Sequence, residues 1–189
     1  EMSGEARVGR GKTIIDNLKI KDEWSDIHLS QFMMSYRNVD DFKDFIALVK
    51  LDGAIENSLV DFRTIANFAP QLEGNNLRAD VSGSLSGTVE DFTVKDVRFS
   101  SQDGGFSGIL NGRMRGIPET YDMWINADIN NLKLTTEGLS LFVTHWMRGG
   151  SLDLGKFAEG TTFYGRATAK GYLNNLNTTA SLSSGKGMD

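Results

Sequence analysis

The stretch LRADVSGSLSGTV, residues 77–89, decides the fold class. Its odd-numbered positions carry an apolar residue or glycine, and its even-numbered positions carry a polar residue, without exception. Side chains alternate between the two faces of a β-strand, so this pattern predicts a strand, or a bent pair of strands, with one dry and one solvated face. Such one-sided patterning favours antiparallel sheet, because buried parallel strands are apolar on both faces.

The same alternation recurs elsewhere in the chain. It runs through residues 121–129 and 163–173, and in a weaker form through residues 45–55. Two other segments, residues 59–70 and 136–148, instead carry apolar residues at helical spacing, with Pro70 and Gly149 placed to end them. A further helical turn is expected at residues 40–44. The sequence therefore predicts a mainly β protein with two or three short helices.

A four-residue unit recurs along the chain: an apolar residue, two of Asp, Asn or Glu, and usually a second apolar residue. The units begin at Ile15, Ile55, Val89, Ile129 and Leu173, and the one at Ile55 is degenerate because it ends in Ser58. Asn and Asp bond the local backbone and tolerate positive φ, so each unit is interpreted as a turn that closes a strand. The spacing predicts a repeated β unit of about forty residues.

Composition excludes several classes of protein. The chain has 189 residues, of which 39% are hydrophobic and 24% charged, as in ordinary folded domains. Its net charge is −5 and it has no basic run, which argues against a nucleic-acid surface. It has no cysteine, which excludes disulfides, thiolate metal sites and thiol nucleophiles. The longest apolar run, residues 45–49, is far too short for a membrane-spanning helix.

No motif indicates an enzyme, a cofactor or a metal. Residues 6–13 loosely match a phosphate-binding loop, but the required strand before and helix after it are not predicted, so Lys12 is expected at a solvated strand end. His28 and His145 lie in different elements without metal-ligand spacing. Ser82 and Ser84 lie on an extended strand and do not form a nucleophile motif.

The apolar face of the strands is the remaining candidate for function. A second sheet would cover it in a sandwich, and the short helices would cover a part. A groove left open along its length would instead hold an acyl chain. The small residues Gly165, Ala167 and Ala169 leave room for such a guest, although the same residues would also suit packing against a helix.

The chain resembles the repeats of the TamB and AsmA-like bacterial envelope proteins. The resemblance is carried by LVDFRTIANFAP at residues 59–70, by the following LEG at 72–74, and by the strand VSGSLSGTVEDF at 81–92. A second copy, residues 152–176, is similar but lacks the proline. It is also five residues shorter between the phenylalanine and the final glycine. The likeness covers residues 59–189 well and residues 1–58 only in general character.

The resemblance implies a curved, taco-like antiparallel sheet of repeated β units, residing in the periplasm and anchored to the inner membrane. Such proteins conduct phospholipids toward the outer membrane, and some assist outer-membrane protein assembly or secretion, with an outer-membrane β-barrel protein as partner. Acyl chains would lie on the inner face, and membrane contact would come through parts of the protein outside this chain. Alternation nominates the lipid-binding residues: Leu77, Val81, Leu85, Val89, Met123, Ile125, Ile129, Phe163, Ala167 and Leu173.

The expected organisation has three parts within a longer protein. Residues 1–58 form an N-terminal β segment, residues 59–150 a helix plus β repeat, and residues 151–189 the start of a further repeat. The competing hypothesis is a closed β-sandwich or propeller-like module that binds carbohydrate or a protein partner. The forty-residue period suits propeller blades, but their Gly-His and Trp-Asp marks are missing.

Overall fold

A computed structural model describes residues 1–66, 77–117, 123–138 and 160–185. They form one antiparallel sheet of ten strands, in which each strand pairs with the next along the chain. The strands are β1 (Met2–Gly9), β2 (Lys12–Lys21), β3 (Asp26–Ser35), β4 (Lys50–Asp61), β5 (Arg78–Gly87), β6 (Asp91–Ser101), β7 (Phe106–Arg115), β8 (Trp124–Thr135), β9 (Thr162–Tyr172) and β10 (Asn175–Gly185).

The sheet is not closed, because β1 and β10 form its two edges and do not pair with each other. This confirms the predicted fold class, a mainly β chain that fits a curved sheet with few helices. The alternation at residues 77–89 forms a single strand, β5, and does not form two. The expected boundary after residue 58 lies inside β4, which continues to Asp61.

Short helical segments lie between some strands. A 3₁₀ turn at Val39–Asp44 leads into α1 (Phe45–Leu48), which confirms the turn expected at residues 40–44. Asn38 begins that turn by accepting a hydrogen bond from the backbone N–H of Asp40 at 2.8 Å. The alternation predicted from residue 45 therefore holds only from Lys50 onward, where β4 begins.

The helix expected at residues 59–70 begins later than predicted. Residues up to Asp61 belong to β4, and α2 covers Phe62–Ala66. The Leu59 and Val60 side chains alternate across a strand, so the first part of the supposed helical stripe has the wrong period. Residues 67–70 lie outside the described part of the chain. Of the helix expected at 136–148, residues 136–138 are helical and the rest lies outside the described residues.

Three of the five four-residue units are β-bulges and not turns, which corrects the sequence interpretation. The units at Ile15, Ile55 and Ile129 lie inside β2, β4 and β8, and only those at Val89 and Leu173 fall in hairpin turns. Within the bulges, Asn17, Asn57 and Asn131 have φ of 51°, 43° and 49°. Asn tolerates this left-handed conformation, which explains its recurrence.

A fourth bulge occurs in β6 at Asp96, where φ is 50°. The strand register shifts here between Val94 and Val97. The neighbouring Gly83 in β5 makes room for the bulge, because a Cβ atom at Gly83 would lie 2.6 Å from the Cα of Val97. The residues with positive φ therefore mark a bulge in every second strand from β2 to β8.

Candidate functional site

One face of the sheet is uncharged across all ten strands and mostly apolar. Residues that are paired directly in an antiparallel sheet share a face, so the strand register identifies its members. We call this side, which carries Leu51, Val97 and Ile129, the apolar face. One row across it reads Met34, Leu51, Gly87, Phe92, Met114, Ile125, Gly171 and Leu176. The register places no charged residue on this face in any of the ten strands.

The bulges keep this face apolar along each strand. In β8, Ile129 pairs with Ala167 and Leu132 pairs with Gly165, so residues three apart lie on the same side. Without the bulge at Asn131, Leu132 would point to the opposite face, because side chains alternate at every residue. The bulge therefore keeps Leu132 on the same face as Ile129, although the two residues are an odd number of positions apart.

Six of the ten predicted lipid-binding residues lie in strands on the apolar face: Val81, Leu85, Ile125, Ile129, Phe163 and Ala167. The other four lie next to strand ends, outside the strands themselves. Leu77 precedes β5, Val89 lies between β5 and β6, Met123 precedes β8, and Leu173 lies between β9 and β10. The structure thus brings the six together on one surface and places the four at its two borders.

Alternation missed the apolar residues of β6 and β7. Phe92, Val94, Val97 and Phe99 belong to the apolar face, but the bulge at Asp96 moves them from even to odd numbers midway. A search for strict period two stops at that change. The signal that would have found them is the spacing of three between Val94 and Val97, with Lys95 and Asp96 between them.

The apolar face is only thinly covered within the described residues. Each strand there packs mainly against its sequence neighbours, and no second sheet lies over the first. The buried apolar side chains of the described residues are Leu18, Leu29, Val49, Ala79, Val97, Leu134 and Phe163. Full burial of one Leu or Phe side chain contributes about 1.5–3 kcal/mol. Most side chains of this face are partly exposed, so a minor part of that stabilisation remains to be gained when the face is covered.

The dimensions of the face exceed those of one acyl chain. Ten strands spaced by about 4.8 Å extend over roughly 43 Å, and a ten-residue strand is roughly 33 Å long. One leaflet of a bilayer holds acyl chains in about 15 Å, half of its hydrocarbon core. A surface of this size is therefore larger than one acyl chain would cover.

The opposite face of the sheet, which we call the polar face, carries charges and hydroxyl groups. One row across it reads Asp52, Ser86, Thr93, Arg113, Asn126, Lys170 and Asn177. Arg113 donates two hydrogen bonds to Asp91, of 2.7 and 2.6 Å, and these bonds lower the pKa of the Asp91 carboxyl group. The polar face is thus suited to contact with water.

A buried carboxylate lies at the end of β4. Asp61 is fully buried and accepts hydrogen bonds from the guanidinium group and the backbone N–H of Arg63, at 2.6–2.9 Å. The guanidinium bonds are the main cause of its lowered pKa, and the Nε atom of Arg78 lies 3.5 Å away. The backbone N–H of Asp61 donates to the hydroxyl group of Ser25 at 2.9 Å. A carboxylate held this firmly in its charged form is poorly suited to proton transfer, so the network is structural.

The described residues show no constellation typical of catalysis. No group of three His, Asp or Glu side chains that could hold a metal ion occurs in the described ranges. Gly9 and Lys12 flank the hairpin turn between β1 and β2, so the loose phosphate-loop match is a turn between strands. His28 lies in β3, where its backbone N–H donates to Ser58 Oγ at 2.8 Å, and His145 lies outside the described residues.

The described part of the chain includes no helix long and apolar enough to cross a membrane. No family model, curated protein or solved structure matches the chain.

Proposed function

We propose that this chain is a non-enzymatic, lipid-conducting module of a periplasm-spanning envelope protein. Phospholipid acyl chains would lie on the apolar face and move across successive strands toward the outer membrane, while head groups stay in water. Assistance in outer-membrane protein assembly or secretion, with a β-barrel partner, belongs to the same proposal. The periplasmic location and the inner-membrane anchor rest on the resemblance to TamB and AsmA-like proteins.

The observation that carries the proposal is that the apolar face is uncharged across all ten strands and mostly apolar. Ten strands and their bulges maintain one uncharged surface, although the part described buries few large apolar side chains of its own. A sandwich core would require a second layer over this face. An acyl chain could cover the apolar face equally well. The free energy gained by burial depends on the apolar area that is covered and not on the chemical nature of the covering group.

The first test asks whether the protein carries lipid. We expect purified protein to co-elute with phospholipid detected by mass spectrometry, and delipidated protein to take up a fluorescent phospholipid. A folded protein that carries no phospholipid and takes none up would contradict the proposal.

Matched substitutions then test the face. We expect Leu85→Glu to weaken lipid uptake by about tenfold, a change that corresponds to about 1.4 kcal/mol of lost binding. Ser84→Glu, one residue away on the polar face, should leave lipid uptake within about twofold of the parent chain, a change much smaller than about 1.4 kcal/mol of binding free energy. Val81→Asp and Ser82→Asp form a second pair with the same expectation. Circular dichroism confirms that each variant is folded, and equal effects within a pair would contradict the assignment of the faces.

A further inference from the structure

The polar face carries an excess of positive charge on its β6–β9 part. Six exposed cations there form no ion pair within the described residues: Lys95, Arg98, Arg115, Lys133, Arg166 and Lys170. The seventh cation of these strands, Arg113, pairs with Asp91. The carboxylates of the four strands are Asp91, Asp96 and Asp128, so seven cations face three anions and the net charge is +4. We call this part of the polar face the basic surface.

The positive charge is a local feature of the molecule. The whole chain has a net charge of −5, opposite in sign to the basic surface. On β1–β5, the strand register places six cations and six carboxylates on the same polar face. Three of those cations, Arg7, Lys21 and Arg78, form ion pairs with carboxylates of the same face. The two parts of the polar face therefore have similar polarity but different charge.

Aromatic side chains lie among the cations of the basic surface. The guanidinium carbon of Arg115 lies 4.5 Å from the ring centre of Trp124, and Trp124 pairs with Tyr172 on the next strand. Tyr164 pairs with Lys133, and the two tyrosines are 40% and 53% exposed. Trp and Tyr rings are enriched where membranes meet water, because each ring has an apolar body and a polar tip.

We propose that the basic surface docks on a membrane that contains anionic lipids. Exposed cations are attracted to anionic head groups, and the attraction grows with the number of Lys and Arg side chains near the lipid surface. The aromatic rings among them suit the head-group region. The docking stands independently of the proposed lipid conduction, because it uses the opposite face of the sheet.

The size of the basic surface favours a membrane over an acidic peptide as the partner. Its four strands span roughly 14 Å across the sheet, and the cations extend over roughly 27 Å along the strands from Arg115 to Lys133. An extended peptide lying along one strand would reach the cations of one or two strands. A plane of anionic head groups reaches all of them at once, so it complements this arrangement of charge more fully.

The test measures co-sedimentation of the purified chain with lipid vesicles. One set of vesicles contains phosphatidylcholine alone, and the other contains an equal mixture of phosphatidylcholine and phosphatidylglycerol. We expect the chain to bind the anionic vesicles at least about tenfold more tightly than the neutral ones. The preference should shrink as salt is raised, because salt screens exposed charges.

Matched substitutions locate the docking surface. We expect the double variant Arg166→Glu, Lys170→Glu to weaken binding to anionic vesicles by at least about tenfold. The control is Lys19→Glu, Lys50→Glu, which changes the net charge by the same amount on the β1–β5 part of the polar face. Lys19 and Lys50 are likewise exposed and form no ion pair within the described residues. The control should stay within about twofold of the parent chain, because its charges lie away from the docked surface.

Circular dichroism confirms that both double variants are folded. Absence of binding to anionic vesicles, or equal binding to both sets of vesicles, would overturn the proposal. Equal losses in the two double variants would also overturn it, because the net charge alone would then explain the binding. Polyglutamate gives a further comparison: if it binds the chain more tightly than the anionic vesicles do, the partner is an acidic protein segment and the membrane proposal is wrong.

Discussion

The two faces of this sheet are built from the same strands but differ in the polarity of their side chains. From β4 to β10, the row from Leu51 to Leu176 on the apolar face contains only apolar residues and glycine, and the row from Asp52 to Asn177 on the polar face contains only polar ones. The contrast is weaker toward β2, where Met34 pairs with Thr13 and Asp52 is followed by Met33 and Ile14. Apolar side chains do not complete a core of their own in the described residues, whereas polar side chains contact one another and solvent. The difference leaves an uncharged, partly exposed apolar face on which the proposed lipid binding rests, and a polar face that is suited to water.

The largest expected effect on stability comes from the buried part of the apolar face. Leu134 is buried at 7% exposure, whereas its neighbour Lys133 lies on the polar face and is less buried. We expect Leu134→Ala to lower the free energy of unfolding by about 2–4 kcal/mol. Lys133→Ala should change it by less than about 0.5 kcal/mol. Chemical denaturation measures both, and similar losses would mean that the two faces are equally packed.

A smaller effect is expected at the buried carboxylate on the polar side. Asp61→Asn removes the charge that Arg63 and Arg78 share, and we expect a loss of about 2 kcal/mol in the free energy of unfolding at neutral pH. We expect no larger loss, because both arginines are more than a third exposed, so solvent already screens their attraction to the Asp61 carboxylate.

The pH dependence of the Asp61 contribution has a definite sign. The folded-state pKa of Asp61 lies below its unfolded value of about 3.9, so its contribution is fully present above about pH 4–5. The contribution is lost as the pH falls through the folded-state pKa. The free energy of unfolding, measured across the acid range, should therefore fall less steeply in Asp61→Asn than in the parent chain. Identical slopes would mean that the carboxylate is not held in its charged form.

The next prediction concerns the bulges, which keep the apolar residues of a strand on one face. Asn131 has φ of 49°, a conformation that β-branched residues rarely adopt. We expect Asn131→Val to cost about 1–2 kcal/mol. Asn131→Gly should cost less than about 0.5 kcal/mol, because glycine accepts positive φ without strain. If valine is tolerated as well as glycine in thermal unfolding, the bulge is not a fixed feature of β8.

The smallest effect is expected for an exposed ion pair of the polar face. Arg113 and Asp91 are both more than a third exposed, so solvent and salt screen them. We expect Asp91→Asn to cost less than about 1 kcal/mol, and the cost to shrink as salt is raised. A larger cost that is independent of salt would mean that the polar face contributes more to folding than its exposure suggests.

Alternation in the sequence predicted much of this fold because it records the period of a strand directly. It identified β5, most of β8 and β9, and the one-sided character of the sheet. It could not locate β6, since the bulge at Asp96 changes the parity of the apolar residues within the strand. The four-residue units were recognised but misinterpreted as turns, because Asn at positive φ serves turns and bulges alike.

The candidate site was predictable to the extent that it lies within regular strands. Val81, Leu85 and Ala167 could be placed on one face from alternation alone. Leu77 and Leu173 lie just outside the strands, where the period no longer fixes which way a side chain points. The parity change around each bulge is the signal that sequence reasoning could have used: the apolar residues pass from odd to even positions between Ile129 and Leu132, and from even to odd positions between Val94 and Val97.

Photo-cross-linking in cells tests the central claim most directly. A benzophenone amino acid is introduced at Leu85 or Ile129 on the apolar face, or at Ser84 or Asn130 on the polar face, and adducts are identified by mass spectrometry. We expect phospholipid adducts from the first two positions and few or none from the other two. Equal labelling of both faces, or labelling of the apolar face only by segments of the protein itself, would contradict the proposed lipid path.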